Sequence, residues 1–125
     1  MKLRIKDNSI RLRLNRPEVE QFGKTKMLEG STDFGNGVFI YAIRYDEHAT
    51  EINATLSNNR ISMNIPPLIA AAFVNSDTVG FQNEIMFGDG RKLFLLFEKD
   101  FKCIDGEPLE DQSDNYENPA VNCMA

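Results

Sequence analysis

The sequence contains only one histidine, two cysteines and no tryptophan among its 125 residues. With His48 as the only imidazole, nucleophilic catalysis could use at most one Cys–His or Ser–His pair, and His48 lies in a polar stretch. Cys103 and Cys123 lack the close-spaced partners of a structural zinc site. The sequence therefore indicates no catalytic residue, no metal site and no cofactor, and it favours a protein that is not an enzyme.

Long hydrophobic runs are also absent. The longest mostly apolar stretch, residues 65–74, is much shorter than the roughly 20 residues that span a bilayer. Charged residues at positions 2, 4 and 6 leave no apolar leader region, and two cysteines are too few for the disulfide framework of a small secreted domain. We therefore expect a cytoplasmic protein that has no membrane partner.

The charge of the chain is small in sum but unevenly distributed. The net charge is −5, which argues against general binding to polyanionic nucleic acid. Residues 1–26 carry +5, residues 27–97 carry −4 and residues 98–125 carry −6. We predict one domain over residues 1–104, followed by an acidic tail, residues 105–125, that is docked on the body or partly disordered.

The opening stretch "KLRIKDNSIRLRLN" alternates basic and apolar residues, with a break at Asp7-Asn8. If these two residues form a hairpin loop, residues whose numbers sum to 15 face each other, and all the apolar side chains share one face. The cationic side chains then share the opposite face. The predicted anion-binding candidates on that face are Lys2, Arg4, Arg11 and Arg13.

Opposed like charges destabilise a strand pair by roughly 0.2–1 kcal/mol. This basic face therefore has two interpretations. Either it binds a phosphate-bearing ligand, which guanidinium groups match well, or other carboxylates of the protein neutralise it, the acidic tail first among them. Residues 2–16 contain no aromatic side chain for base stacking, so nucleic acid is a disfavoured ligand.

The rest of the chain predicts a mixed fold. Asn15 and Pro17 indicate the start of a short helix, and residues 66–77 indicate a second one. Turn residues separate the remaining stretches into hairpin strands, with residues 38–45 and 51–57 as neighbours in a meander. We predict a single α+β domain with a mainly antiparallel sheet of about seven strands, strongly twisted or barrel-like, and two short helices. The order of elements in the two hairpin-plus-helix parts is similar, without residue-level similarity.

Two motifs carry a resemblance. The opening "MKLRIKDNSIRLRLN" and the later "LFEKDFKCID", followed by ED and NP, resemble a family of small uncharacterised bacterial proteins, a domain of unknown function. The resemblance implies a bacterial origin and no established activity, so it provides no catalytic residue. Asp7 stands where a turn glycine is expected. The basic strands are also similar to those of triphosphate-tunnel enzymes, although the paired-glutamate-plus-lysine strand motif of those enzymes is absent.

These observations favour a non-catalytic module that binds a small anionic ligand or a protein partner. The alternative is binding or hydrolysis of a phosphate-containing ligand on the basic face. An uncapped edge strand would allow a homodimer. The feature that discriminates a ligand site from a structural role is whether the basic face borders a concavity or is flat and covered by acids.

Overall fold

The computed structural model describes residues 1–101, which form eight strands and two helices. In chain order, two strands, a helix and two strands make the first half, and the second half repeats this order. The elements are β1 (Lys2–Lys6), β2 (Ser9–Leu14), α1 (Arg16–Thr25), β3 (Met27–Asp33), β4 (Val38–Tyr45), β5 (Asn53–Ser57), β6 (Arg60–Ile65), α2 (Pro67–Asn75), β7 (Gly80–Met86) and β8 (Lys92–Lys99).

The strands form two open sheets of four. Sheet 1 has the order β1-β2-β8-β7, and sheet 2 has the order β3-β4-β6-β5. Each hairpin is antiparallel, whereas the central pairs β2–β8 and β4–β6 are parallel. The predicted α+β class and the two short helices are confirmed, with eight strands instead of about seven. Neither sheet closes into a barrel.

The predicted meander is wrong. β5 does not pair with β4; it lies at the edge of sheet 2, and β6 occupies the position beside β4. β4 carries apolar side chains on both faces, which suits a central strand, while the short polar β5 suits an edge where one side meets solvent. The chain therefore passes outward to the edge before it returns to the centre.

Exchanging the two halves maps one sheet onto the other. Positions in the first hairpin and helix correspond after a shift of 51, since β1 begins at Lys2 and β5 begins at Asn53. The last strands, β4 and β8, correspond after a shift of 54. Equivalent hydrogen bonds recur: the Asp100 amide donates to the Leu14 carbonyl (2.8 Å), and the Asp46 amide donates to the Ile65 carbonyl (2.9 Å). The domain is therefore a structural duplication with exchanged hairpins.

The hairpin turns have the backbone that the sequence indicates. β1 and β2 pair in the predicted register, with Leu3 opposite Leu12. Asp7 in the first turn and Asn58 in the equivalent turn have φ values of 49° and 52°. This left-handed region is tolerated by Asp and Asn better than by most residues, so the turn does not need the expected glycine.

The two helices start differently. Asn15 caps α1: its side chain accepts a hydrogen bond from the Glu18 amide, and the Glu18 carboxylate accepts one from the Asn15 amide. This capping box satisfies two amides that a helix start otherwise leaves unpaired. The residue before α2, Pro66, has no side-chain capping bond. Local sequence thus specifies the start of α1 more strongly than that of α2.

Both sheets and both helices contribute to a single core. Phe22 of α1 and Phe73 of α2 occupy equivalent positions and are almost completely buried. The Phe73 ring meets Phe97 of β8 edge to face at 4.7 Å between centroids. The buried cluster consists of Leu12, Leu14, Val19, Phe22, Ile43, Ile52, Met63, Ile65, Ala70, Phe73, Leu95 and Phe97.

Candidate functional site: the charged face of sheet 1

One face of sheet 1 packs on the core and the other faces outward. Leu12 and Leu14 of β2 are fully buried in the core, so the alternating residues Arg11 and Arg13 lie on the outward face. We call this surface the charged face. Its members are Lys2, Arg4 and Lys6 of β1, Ser9, Arg11 and Arg13 of β2, Lys92, Phe94, Leu96 and Glu98 of β8, Glu84 of β7, and Asp100 just after β8.

A buried ion cluster lies at the centre of this face. The parallel pairing of β2 with β8 places Arg13 opposite Glu98. The Arg13 Nε lies 2.7 Å from Glu98 Oε1, and the Arg11 Nε lies 2.9 Å from the same oxygen. Arg13 and Glu98 are each only 7% exposed. A single carboxylate oxygen therefore contacts two guanidinium groups away from solvent.

The pKa of Arg11 shows the result of this crowding. Burial lowers the pKa of the Arg11 guanidinium below its ordinary value, and the neighbouring charges of Arg13 and Arg4 act in the same direction. Glu98 opposes the shift but does not cancel it. Because arginine remains protonated in proteins, the face holds positive charge at a cost in free energy, which a further anion would reduce.

Two other carboxylates contact lysines of the charged face. Asp100 Oδ2 lies 2.8 Å from the Lys2 Nζ, and Glu84 Oε1 lies 3.4 Å from the Lys92 Nζ. Counted over residues 1–101, the charged face has six cations and three carboxylates. Glu98 and Asp100 lie toward the Lys2 end of the face, and Glu84 lies beside Phe94 toward the Lys6 end.

A depression of about 280 Å³ lies at the cation-rich end of the face. Arg4, Lys6 and Arg11 surround it, and Phe94 and Leu96 supply apolar surface. Its lining is completed by Ser9 and Ile10. The charged face is thus concave near Arg4, Lys6 and Arg11, while Asp100 contacts Lys2 at its other end. It is therefore neither purely a concave ligand site nor purely a flat surface covered by acids.

The structure brings all four predicted site residues onto this one face. Lys2 lies opposite Arg13, and Arg4 lies opposite Arg11, in the predicted register. Whether they bind an anion stays a prediction. Sequence reasoning did not identify Glu98 or Phe94 as part of the site, because a parallel pair of strands separated by most of the chain brings them there. β8 runs through five consecutive apolar residues, Leu93 to Phe97, before Glu98, so its sequence carries no alternation that marks the site.

Sheet 2 has an equivalent outer face with different chemistry. At the position of Glu98 it has Arg44, whose Nε donates to Asn64 Oδ1 at 3.1 Å. Asn64, at the position of Arg13, also donates to Asn53 Oδ1 at 2.7 Å. Ser62 stands in place of Arg11. Neutral side chains thus replace the crowded cations of sheet 1.

The remaining chemistry-bearing residues do not form a second centre within residues 1–101. His48 lies in the turn after β4, where its side chain is largely exposed and its Nε2 is 3.4 Å from Glu47. That part of the chain contains no group of three or more potential metal-ligating side chains. Cys103, Cys123 and the predicted tail, residues 105–125, lie outside the described residues.

Fold and site together define a small α+β domain made of two interlocked ββαββ halves, with a cation-rich face on one sheet. The chain belongs to DUF7009, a family of unknown function, whose family model matches residues 1–120. This confirms the resemblance to an uncharacterised domain. No curated protein and no solved structure matches the chain. Neither helix within residues 1–101 has the length and apolar character that crossing a membrane requires.

Proposed function

We propose that this protein is a non-catalytic binding module of the bacterial cytoplasm whose charged face binds a small phosphate-bearing ligand. The observation that carries the proposal is the depression in which Arg4, Lys6 and Arg11 surround apolar surface. Guanidinium groups donate paired hydrogen bonds in a planar arrangement that matches phosphate oxygens, and a lysine adds a mobile positive charge.

Electrostatics support an anion at this end of the face. Arg4 lies directly opposite Arg11, and this like-charge pairing destabilises the hairpin unless negative charge is near. Glu98 contacts both Arg11 and Arg13, so one carboxylate oxygen faces two guanidinium groups beside the depression. An anion in the depression would interact with all three surrounding cations at once.

The apolar part of the depression favours a ligand with an organic body. Phe94 and Leu96 are half-buried on a sheet face that otherwise carries charges. A depression of about 280 Å³ is near the lower limit of small-molecule sites, which combine apolar lining with a few polar groups. A phosphorylated metabolite or a nucleotide would use both kinds of surface, whereas inorganic phosphate would use only the cations.

Binding is better supported than hydrolysis. Hydrolysis of a phosphate ester needs a group that positions or activates water, usually a carboxylate or an imidazole. The seven described residues that line the depression include neither. The two carboxylates that flank the depression in the sheet already contact cations: Glu98 contacts Arg11 and Arg13, and Glu84 lies 3.4 Å from the Lys92 Nζ.

A thermal-shift screen followed by calorimetry tests the proposal. The panel contains pyrophosphate, nucleoside mono- and triphosphates and phosphorylated sugars, each measured at low salt. The test variant Arg4→Thr/Lys6→Ser introduces the residues that sheet 2 has at the equivalent positions, Thr55 and Ser57. We expect at least one panel member to stabilise the wild type and to bind the variant at least tenfold more weakly.

The matched control removes two cations elsewhere. Lys24→Ser/Arg91→Thr changes the net charge equally at exposed positions outside the charged face. This control should retain the wild-type affinity. An equal loss of affinity in both variants, or no stabilisation by any panel member, would contradict the proposal.

A further inference from the structure

We infer that the charged face is also an intramolecular docking surface, and that its partner is the chain's own acidic segment, residues 105–125. The inference rests on the proposed function, because the segment would compete with the phosphate-bearing ligand for the same cations. Three observations support it: the place where the described chain ends, the reach of the segment, and its charge.

The chain leaves the described domain at a corner of the charged face. The Asp100 amide donates to the Leu14 carbonyl at 2.8 Å, which holds the chain against the end of β2. The Asp100 side chain contacts the Lys2 Nζ at 2.8 Å. The first acidic residue after β8 thus already pairs with a cation of this face.

The segment can reach every cation of the face. Lys2 and Lys6 are four residues apart on β1, so the face is about 13 Å long along the strands. The five steps from Asp100 to Asp105 can span up to about 17 Å. Even the first acidic residue of the segment, Asp105, can therefore reach the far end of the charged face.

The charges are complementary. The segment contains six carboxylates and no lysine or arginine. The described part of the face has three more cations than carboxylates. Asp105 and Glu107 are two residues apart, the spacing of neighbouring cations on β1, so in an extended chain this pair would match two of those cations.

Covalent connection makes weak ion pairs sufficient. A segment tethered by a short linker has an effective concentration in the millimolar range at its docking site. A ligand must displace the docked segment before it can bind. The affinity measured for the whole chain is therefore lower than the intrinsic affinity of the charged face. Ion pairs at a surface are screened by salt, so the segment is released as ionic strength rises.

Zero-length cross-linking of the full-length protein tests the docking directly. A carbodiimide joins lysine amines to carboxylates that are in contact, and mass spectrometry identifies the joined peptides. At low salt we expect residues 105–125 to be linked to Lys2 and Lys6 of the charged face and not to Lys24 on α1, with the links lost at high salt. Links to Lys24 at equal yield, or none to the face lysines, would overturn the inference.

A competition measurement separates this inference from the proposed function. One full-length variant converts the six acids of the segment to amides. Its control converts three Glu and three Asp elsewhere, so both variants lose the same charge. Pyrophosphate should bind the segment variant at least fivefold more tightly than the control. The control positions are Glu20, Glu47, Glu51, Asp33, Asp77 and Asp89.

The outcomes are distinct. If pyrophosphate binds both variants equally, the docking inference is overturned while the proposed function stands. If neither variant binds pyrophosphate or any other panel member but the cross-links to Lys2 and Lys6 form, the docking stands and the proposed ligand site is wrong.

Discussion

Glu98 lies on β8 of sheet 1, and Arg44 lies on the equivalent strand of sheet 2, β4. The two residues occupy equivalent positions, yet one is a carboxylate and the other a guanidinium. Their neighbours differ accordingly: Glu98 contacts Arg13, and Arg44 contacts the neutral amide of Asn64. The backbone pairing is the same in both sheets. The comparison teaches that the same backbone pairing accommodates polar pairs of different charge, so the excess of cations on sheet 1 needs another explanation.

The inner faces of the two sheets, unlike the outer ones, have similar residues at equivalent positions. Phe22 and Phe73 are the same residue type at equivalent helix positions, and both are buried in the common core. Packing in a protein interior restricts both volume and polarity, so the two halves remain similar there. Differences between the halves are therefore most informative on the outer faces.

The largest expected effect comes from the core. Phe22→Ala and Phe73→Ala should each lower the free energy of unfolding by about 3–5 kcal/mol, because each removes a buried aromatic ring. Since both rings belong to one core, chemical denaturation should show a single transition in each variant. Two separated transitions, one for each half, would contradict a shared core.

The next effect distinguishes the two outer faces. Glu98→Ala leaves Arg11 and Arg13 without their shared carboxylate and should cost about 3 kcal/mol. Arg44→Ala removes a side chain that is 48% exposed and should cost less than about 1 kcal/mol. Urea denaturation measures both values. Equal losses would show that the ion cluster of sheet 1 has no special energetic role.

A smaller effect concerns the way each half holds its first strand. In the first half the Tyr41 hydroxyl donates to the Met1 carbonyl at 3.1 Å, with the ring over Gly30. In the second half Asn83, at the position of Gly30, donates to the Ile52 carbonyl at 2.8 Å.

A methyl group on Gly30 would overlap the Tyr41 ring. Gly30→Ala should therefore cost about 2 kcal/mol, since the ring must move and its hydrogen bond is lost. Asn83→Ala should cost about 1 kcal/mol, the usual value for a lost hydrogen bond. Thermal unfolding compares the two variants, and a Gly30→Ala protein as stable as the wild type would rule out this role for Tyr41.

The smallest effect is at the helix starts. Asn15→Ala removes the capping box of α1 and should lower stability by about 1 kcal/mol. Pro66→Ala, at the equivalent position of α2, removes no side-chain cap and should have a smaller effect. Differential scanning calorimetry of the two variants checks the order, and a reversed order would contradict it.

Local features of the fold could be predicted from the sequence. Asp7-Asn8 specified the first hairpin and its register, and Asn15 specified the start of α1, because turn and cap preferences act over a few residues. That register also placed the cationic side chains of β1 and β2 on one face of the hairpin. The predicted α+β class followed from the alternation of hairpins and helical stretches.

The long-range features could not be predicted in the same way. The parallel pairing of β2 with β8 depends on the packing of the whole chain, and it alone brings Glu98 to Arg13. The sequence indicated the similar order of elements in the two parts but not a duplication, because residues at equivalent outer positions differ, as Arg11 and Ser62 do. The meander was wrong for the same reason: adjacency in the sequence did not decide adjacency in sheet 2.

The most direct test of the central claim is a pyrophosphate titration of the full-length protein followed by NMR. The account predicts that the side-chain and backbone N–H signals of Arg4, Lys6 and Arg11 shift in a saturable way. The equivalent positions of sheet 2, Thr55 and Ser57 among them, should stay unchanged. Equal shifts on both sheets, or shifts confined to residues outside the charged face, would contradict the claim that sheet 1 has the anion site.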